Sequence, residues 1–230
     1  MNTVLILFLT IVIIFAIWYA ASSILADYLI KNSTSLNTAS KSTRPSIESS
    51  LLDNPGSSRY YYEGWFFIAG NQKINQENII FNRGSDFVVT LNGSALNLYV
   101  NGGTVADVGT FNPAGATKLI SVPNFPFQRW ALLVINVDGM SVDLYIDGKF
   151  VQNTMSPVTI NSNADNAITY GNKFIIGHVA RFKRPSASIN PQGVWNDFLK
   201  GSGQGQSLTD NHLNVIVTNK QKTTLDKRIF

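Results

Sequence analysis

The sequence predicts an all-β protein: an antiparallel two-sheet sandwich with one short helix, preceded by a single transmembrane helix. Three observations carry this expectation. Short apolar runs recur with turn signals between them, at Asn92-Gly93, Asn101-Gly102-Gly103, Asn112-Pro113 and Pro123-Asn124, a spacing that suits a sandwich better than alternating helices and strands. Between Phe125 and Val151, three strands are punctuated by Asp138-Gly139 and Asp147-Gly148, pairs that supply the positive φ angles of tight hairpin turns. Ahead of these, Val4 to Ala21 is apolar apart from Thr10. It is long enough to cross a hydrocarbon core of about 30 Å.

The chain divides into an anchor over 1–31, a linker over 32–58 and a β domain over 59–230 that ends in a basic tail. No charged residue occurs from Met1 to Ala26. A cleaved signal peptide wants a positive n-region and a shorter apolar core, so the segment reads as a retained anchor in the lipid bilayer. Trp18 and Tyr19 fall near its polar end, where amphipathic rings favour the headgroups, and Lys31 marks the exit into water. Lys31, Lys41 and Arg44 follow the span, which places the C-terminal domain on the cytosolic face. The tripeptides Asn32-Ser33-Thr34 and Asn92-Gly93-Ser94 would matter as glycosylation sequons only on the other side. The linker is rich in Ser, Thr and Asn, and reads as a tether spanning roughly 30 Å as a flexible coil.

Within the domain, Trp130 to Val137 is apolar on both parities until Asn136, which implies a strand covered on both faces. The next strand alternates, with Val142, Leu144 and Ile146 on one face and Ser141, Asp143 and Tyr145 on the other. Trp65 and Trp130 are both expected in the core. Pro191 at a first-turn position, Gly201 past the end, and Val194, Trp195, Phe198 and Leu199 on a single face predict the one short amphipathic helix. His212 to Val217 can add one more strand.

The order Trp130, Val137-Asp138-Gly139 and Val142 to Lys149 resembles the core meander of the laminin-G-like, concanavalin-A-like lectin and glucanase jelly rolls. Tyr62 to Phe67 resembles that family's opening strand and Ile79 to Gly84 the strand after it. Phe174 to Gly177 and Val179 to Arg184 resemble two late strands, and Ile189 to Gly201 the closing helix. The resemblance spans roughly Tyr60 to Gly203 and implies a two-sheet jelly roll. In one departure Gly177 leads almost directly into Val179, where the family has a rim loop that often carries ligands. Val194 to Gly201 behind a membrane segment is also similar to jelly-roll proteins encoded by large DNA viruses of algae and protists.

The chemistry-bearing residues argue against an enzyme. Cysteine is absent, which excludes disulfides, thiolate ligands and cysteine catalysis. Glucanases of this fold pair two Glu at close spacing. Here only Glu48, Glu63 and Glu77 exist, and no such pair is among them. Asp138 and Asp147 belong to turns, while His178 and His212 lie at no metal-ligand spacing, so no metal or cofactor is expected. From Lys173 onward nine Lys or Arg face three Asp, a net of +6 in a chain of net +4. Arg181, Lys183, Arg184, Lys220, Lys222, Lys227 and Arg228 are the candidate partner-binding residues. With no recognition helix or stacking platform, nucleic acid is not the expected partner. These features point to a membrane-anchored structural protein that binds other proteins. The viral resemblance implies a minor capsid or membrane-to-capsid linking protein in a virion, between internal membrane and capsid or coat subunits. A membrane-bound carbohydrate-binding adhesion protein is the alternative, and a glycoside hydrolase is the third reading.

Overall fold

The computed structural model describes residues 10–16, 28–37, 44–106, 108–160, 163–203, 214–219 and 222–228. In chain order the strands are β1 (Thr34–Ser35), β2 (Ser46–Ile47), β3 (Arg59–Asn71), β4 (Glu77–Arg83), β5 (Phe87–Asn92), β6 (Ala95–Val100), β7 (Thr104–Val105) and β8 (Thr110–Asn112). They continue with β9 (Thr117–Val122), β10 (Trp130–Asp138), β11 (Ser141–Ile146), β12 (Lys149–Met155), β13 (Ile168–Tyr170), β14 (Ile175–Lys183), β15 (Asn214–Asn219) and β16 (Lys222–Arg228). One helix, α1 (Pro191–Leu199), lies between β14 and β15. A six-stranded antiparallel sheet runs β1-β14-β3-β10-β11-β12. The opposing sheet has eight strands in the order β2-β13-β4-β5-β6-β9, with β8 also pairing β4 and β7 pairing β8.

Strand alternation builds two apolar layers. Between the sheets, Phe66 and Ile68 of β3 and Leu133, Ile135 and Val137 of β10 meet Ile80, Phe81, Phe87, Val89 and Leu91 of β4 and β5. On the outer face of the six-stranded sheet, Tyr61, Trp65, Leu132, Val134 and Tyr145 pack with Val194 of α1, and Phe198 leans against them. This is why β10 is apolar on both parities: one set of side chains enters the sandwich and the other lies beneath the helix. Asn190 caps α1 by accepting a hydrogen bond from the Gly193 N–H at 2.7 Å, with Pro191 beginning the first turn.

The helix buries a different face from the expected one. Val194, Asp197 and Phe198 turn inward, Phe198 stacking on Trp65 at 5.8 Å between ring centroids, whereas Trp195 and Leu199 are exposed. Residues spaced three and four apart share a helix face, and the buried lysine at position 183 draws Asp197 into that face. The tryptophans also differ. Trp65 is only 6% exposed. Trp130 is half-buried at the start of β10, tilted against Phe67.

Both hairpins form, but only one of them turns on its Asp-Gly pair. At Asp147-Gly148 both residues have positive φ and Ile146 pairs with Lys149, as a primed turn requires. At the other turn Asp138 stays in the strand opposite Ser141, so Gly139 and Met140 make the turn and only Gly139 has positive φ.

The tether reading of 32–58 is corrected. Thr34 and Ser35 pair with Val179 and His178, Ile47 pairs with Ile168, and Leu36, Ile47 and Leu52 are buried in the main core. A Ser- and Thr-rich segment too polar to fold alone can still dock when a few apolar residues find a preformed sandwich edge. The docking begins before the linker, because the N–H groups of Leu29 and Ile30 both donate to the Phe182 carbonyl. The two late strands are one: β14 runs unbroken through Gly177 and His178, with irregular pairing at Ile176/Gly177 and between Ala180 and Lys183. A side chain at Gly177 would strike the Phe67 backbone, which is why glycine occupies the first irregularity. The expected C-terminal strand forms as β15, paired with β16 in a separate hairpin.

The anchor falls largely outside the described residues, as do Trp18 and Tyr19. Within it, residues 10–16 are helical with Ile11 to Phe15 exposed. Among the described residues no helix is long and apolar enough to cross a membrane. Lys31 is exposed, directly after the contact of Ile30 with Phe182.

Candidate functional site

Of the basic residues singled out in the sequence, Arg181, Lys183 and Arg184 do not form an open patch. Lys183 is buried beneath α1, with its ammonium 2.8 Å from Asp197 Oδ2 and 3.2 Å from Glu63 Oε1. Arg184 is buried too, donating to the backbone carbonyls of Asp53 and Asn54 with its guanidinium over the Tyr60 ring. Arg181 is half-buried and donates to the carbonyls of Lys200 and Gly201 at the end of α1. Shared parity is lost because Arg181 takes a φ of +48° where the pairing of β14 with β3 becomes irregular. Lys222, Lys227 and Arg228 lie on β16, in register with Asn219, Val215 and Asn214. Lys220 lies outside the described residues.

The Glu63, Lys183 and Asp197 cluster is held by two sheet strands and the helix, and its electrostatics are lopsided. Burial, aided by the nearby Asp197, pushes the Glu63 carboxyl up to about 7 against the pull of Lys183. Burial opposes the Lys183 ammonium, but Glu63 and Asp197 more than offset it and hold it above its ordinary value. Burial likewise opposes ionised Asp197, which hydrogen bonds from Lys183 and Lys200 hold below the usual carboxylate value. Since Glu63 is raised from 4.5 to about 7, the folded protein keeps its proton across that window while the unfolded chain has released it. The associated stability is present below the window and lost as pH rises through about 7. Glu63→Gln is therefore expected to flatten the fall in stability between pH ~5 and ~8, read from urea midpoints at those two values. An unaltered slope would show that Glu63 titrates normally.

The other carboxylates are also structural. Glu77 accepts hydrogen bonds from Thr90 Oγ1 at 2.5 Å, Tyr99 Oη at 2.9 Å, Asn97 Nδ2 at 3.1 Å and Asn92 Nδ2 at 3.2 Å. Burial would raise this carboxyl, but the four donors more than offset it and hold it low. Asp138 pairs with Arg59 through two short contacts, and Asp147 accepts from the Leu132 N–H at 3.0 Å. Glu63 and Glu77 sit on different sheets, while Glu48 takes the Ser46 hydroxyl in the segment before β3. His178 is exposed on β14. Among the described residues no group of three or more His, Asp or Glu could hold a metal ion.

Two surface features remain, and sequence reading missed both. The first is an open cleft of about 780 Å³ over β2, β13 and the end of β4, with Gly103 to Ala106 as one wall. It is lined by amides and hydroxyls, including Ser46, Asn82, Ser85, Thr104, Asn166 and Thr169, together with Arg44. Asn82 donates to the Gly84 carbonyl at 2.8 Å and accepts from Thr169 Oγ1 at 2.6 Å. The Arg44 Nε donates to the Gly171 carbonyl at 2.8 Å, and burial lowers this guanidinium to about 10. Its Nη2 is buried with no acceptor among the described residues. Beside the cleft, fully buried Arg83 donates to the carbonyls of Pro55, Asn163 and Asn166, fixing the loops that shape that end of the sheet.

The second feature is an apolar ledge. Trp195 is 39%, Leu199 65% and Phe150 57% exposed. Trp195 and Leu199 are one helical turn apart, and Trp195 lies so close to Gly148 that a side chain there would strike it. Phe150 follows two residues later on β12, edge-on to Tyr145 at 5.6 Å. Since β12 ends the six-stranded sheet, the ledge adjoins an edge strand. The signals were the spacing of Trp195 and Leu199 and the consecutive apolar pair Phe150-Val151, both readable as core from sequence.

No family model and no curated protein matches the chain. Among solved structures it is similar to the binding domain of botulinum neurotoxin DC in complex with rat synaptotagmin II, at 14% identity and a TM-score of 0.53, covering 67% of this chain and 38% of that one. It is similar also to the receptor-binding domain of botulinum neurotoxin type G, at 14% identity and a TM-score of 0.51, covering 80% of this chain and 50% of that one. The chain thus spans half or less of those structures. What the likeness shows is a shared fold, an all-β, jelly-roll-like sandwich.

Proposed function

We propose that this chain is a non-enzymatic binding module held at a membrane, and that its partner is a protein. The observation that carries the reading is the ledge of Phe150, Trp195 and Leu199, large apolar side chains left open beside an edge strand. Exposed clusters of this kind mark interaction surfaces, and aromatic residues dominate the energetics of such interfaces. The neurotoxin domain solved with synaptotagmin II is a sandwich of similar fold that engages a protein, which agrees with the reading. If the apolar N-terminal segment spans a bilayer, docking of residues 29–36 along β14 sets the sandwich close to the membrane instead of on a long tether. In its most specific form this is a minor capsid or membrane-to-capsid linking protein, with the sandwich on the cytosolic face and coat subunits as partners. Its presence in purified virions by mass spectrometry tests that form.

The combined substitutions Phe150→Ser, Trp195→Ser and Leu199→Glu are expected to reduce the native mass of the complex extracted from membranes towards that of the 25.3 kDa chain, with the melting temperature nearly unchanged. An intact complex in the triple variant would contradict the proposal. A second reading, lectin-like carbohydrate binding, is favoured by the amide- and hydroxyl-lined cleft.

A further inference from the structure

We propose that Lys183 and Asp197 condense to an isopeptide bond, a single-turnover cross-link that fastens α1 to β14, with Glu63 as the group that moves the protons. The inference starts from a geometry that surface ion pairs lack. Glu63 is 2% exposed, and Lys183 and Asp197 are each 9% exposed, although the three come from β3, β14 and α1. The Lys183 Nζ lies 2.8 Å from Asp197 Oδ2 and 3.2 Å from Glu63 Oε1, so an amine, an acceptor carboxyl and a second carboxyl converge on one point. The rings of Tyr61 and Tyr28 flank the Nζ, their centroids 5.5 and 5.6 Å away, and Tyr61 itself packs in the apolar layer with Trp65, Val194 and Phe198. Water is held off, which favours a reaction that releases water and protects its product from hydrolysis. Reacting groups held in contact also gain an effective molarity that can be on the order of 10⁵ to 10⁸ M.

The chemistry balances within the cluster. At rest the Lys183 ammonium and the Asp197 carboxylate are both ionised, while Glu63, raised to about 7, keeps its proton below that pH. The reactive form has the same net charge: the ammonium passes one proton to Asp197 across their hydrogen bond, leaving an amine and a carboxylic acid. The Nζ lone pair attacks Asp197 Cγ and the C–N bond forms. Glu63 gives its proton to the departing oxygen and takes one from the nitrogen, two transfers suited to a carboxyl that titrates near neutrality. The C–O bond breaks, its electron pair leaves as water, and Glu63 ends protonated as it began. Lys200, with Nζ 2.5 Å from Asp197 Oδ1, faces the oxygen that gathers negative charge as the nitrogen adds. Its own side chain is 55% exposed, so its ammonium stays hydrated and Lys183 is the nucleophile. The bond ties the helix that carries Trp195 and Leu199 to the sheet. The ion pair is its precursor, so the pH and stability expectations for this cluster hold for chain of full mass.

Mass spectrometry of the full chain, purified from membranes at neutral pH, tests the proposal. The intact mass is expected to fall below that of the 25.3 kDa sequence by one water. Trypsin should then leave residues 182–200 as one fragment, uncut at Lys183 and lighter by the same water. Glu63→Gln keeps the shape of the side chain but not its proton transfer, so it should fold, as read by near-UV circular dichroism, yet retain full mass and be cut at Lys183. Lys183→Arg keeps the charge without a condensing amine and should also retain full mass. Full mass in the wild-type chain overturns the proposal, as does a lost water that maps to Asp138-Gly139 or Asp147-Gly148 or persists in Lys183→Arg. A lost water that persists in Glu63→Gln overturns the role of Glu63.

Discussion

Lys183→Met is expected to destabilise the sandwich by about 3–5 kcal/mol, the cost of leaving buried charge without its counter-ion. The lysine is shared by two carboxylates from different elements, Glu63 on β3 and Asp197 on α1, and it holds the helix to the sheet as well as balancing charge. Glu63 Oε2 already lacks a hydrogen-bond partner. Without the ammonium, Glu63 and Asp197 would face each other across a site that excludes water. The loss should be smaller at pH ~5, where Glu63 with its value of about 7 is protonated, than at pH ~8. Urea unfolding at the two pH values checks this. An equal loss at both would mean that Lys183 acts by packing alone.

Trp65→Ala is expected to cost about 3–5 kcal/mol, comparable with much of the stability of a typical domain, whereas Trp130→Ala should cost less than half as much. Trp65 fills the layer between β3 and α1, stacked on Phe198 and surrounded by Tyr61, Leu132, Val134 and Tyr145. Its loss opens a cavity that the short helix can only partly close. Trp130 at the start of β10 is half-exposed, so truncation opens the site to solvent instead. Paired thermal melts decide the matter. Equal losses for the two tryptophans would place Trp130 as deep as Trp65.

These expectations also mark how far the sequence was legible. The meander from Trp130 to Val151 could be read because its pattern is local: Gly139 and Gly148 each place a two-residue turn that sets the register, and the apolar parities of β10 record both layers that cover it. The helix ends could be read from Pro191 and Gly201, but the buried face could not. Asp197 enters that face only because Lys183, distant in sequence, waits beneath it. The segment over 32–58 looked unable to fold because composition reports what a stretch can bury alone. It cannot report that Leu36 and Leu52 would meet a finished core. For the same reason the basic late section looked like a surface, whereas Lys183 and Arg184 are internal and find their partners across 14 residues at Asp197 and 131 at Asp53. The cleft left no local trace at all, because Arg44, Asn82, Thr104 and Asn166 are brought together only by the pairing of β2, β13 and β4 and the placement of β7.

The central claim is that the molecule works by presenting the Phe150, Trp195 and Leu199 ledge to a protein partner. Hydroxyl-radical footprinting of the full chain, free in detergent and in its native membrane assembly, tests it most directly. In the assembly, oxidation of Trp195 and Phe150 is expected to fall severalfold, while buried Trp65 stays unreactive in both states. Undiminished labelling of Trp195 and Phe150 in the assembly would contradict the claim.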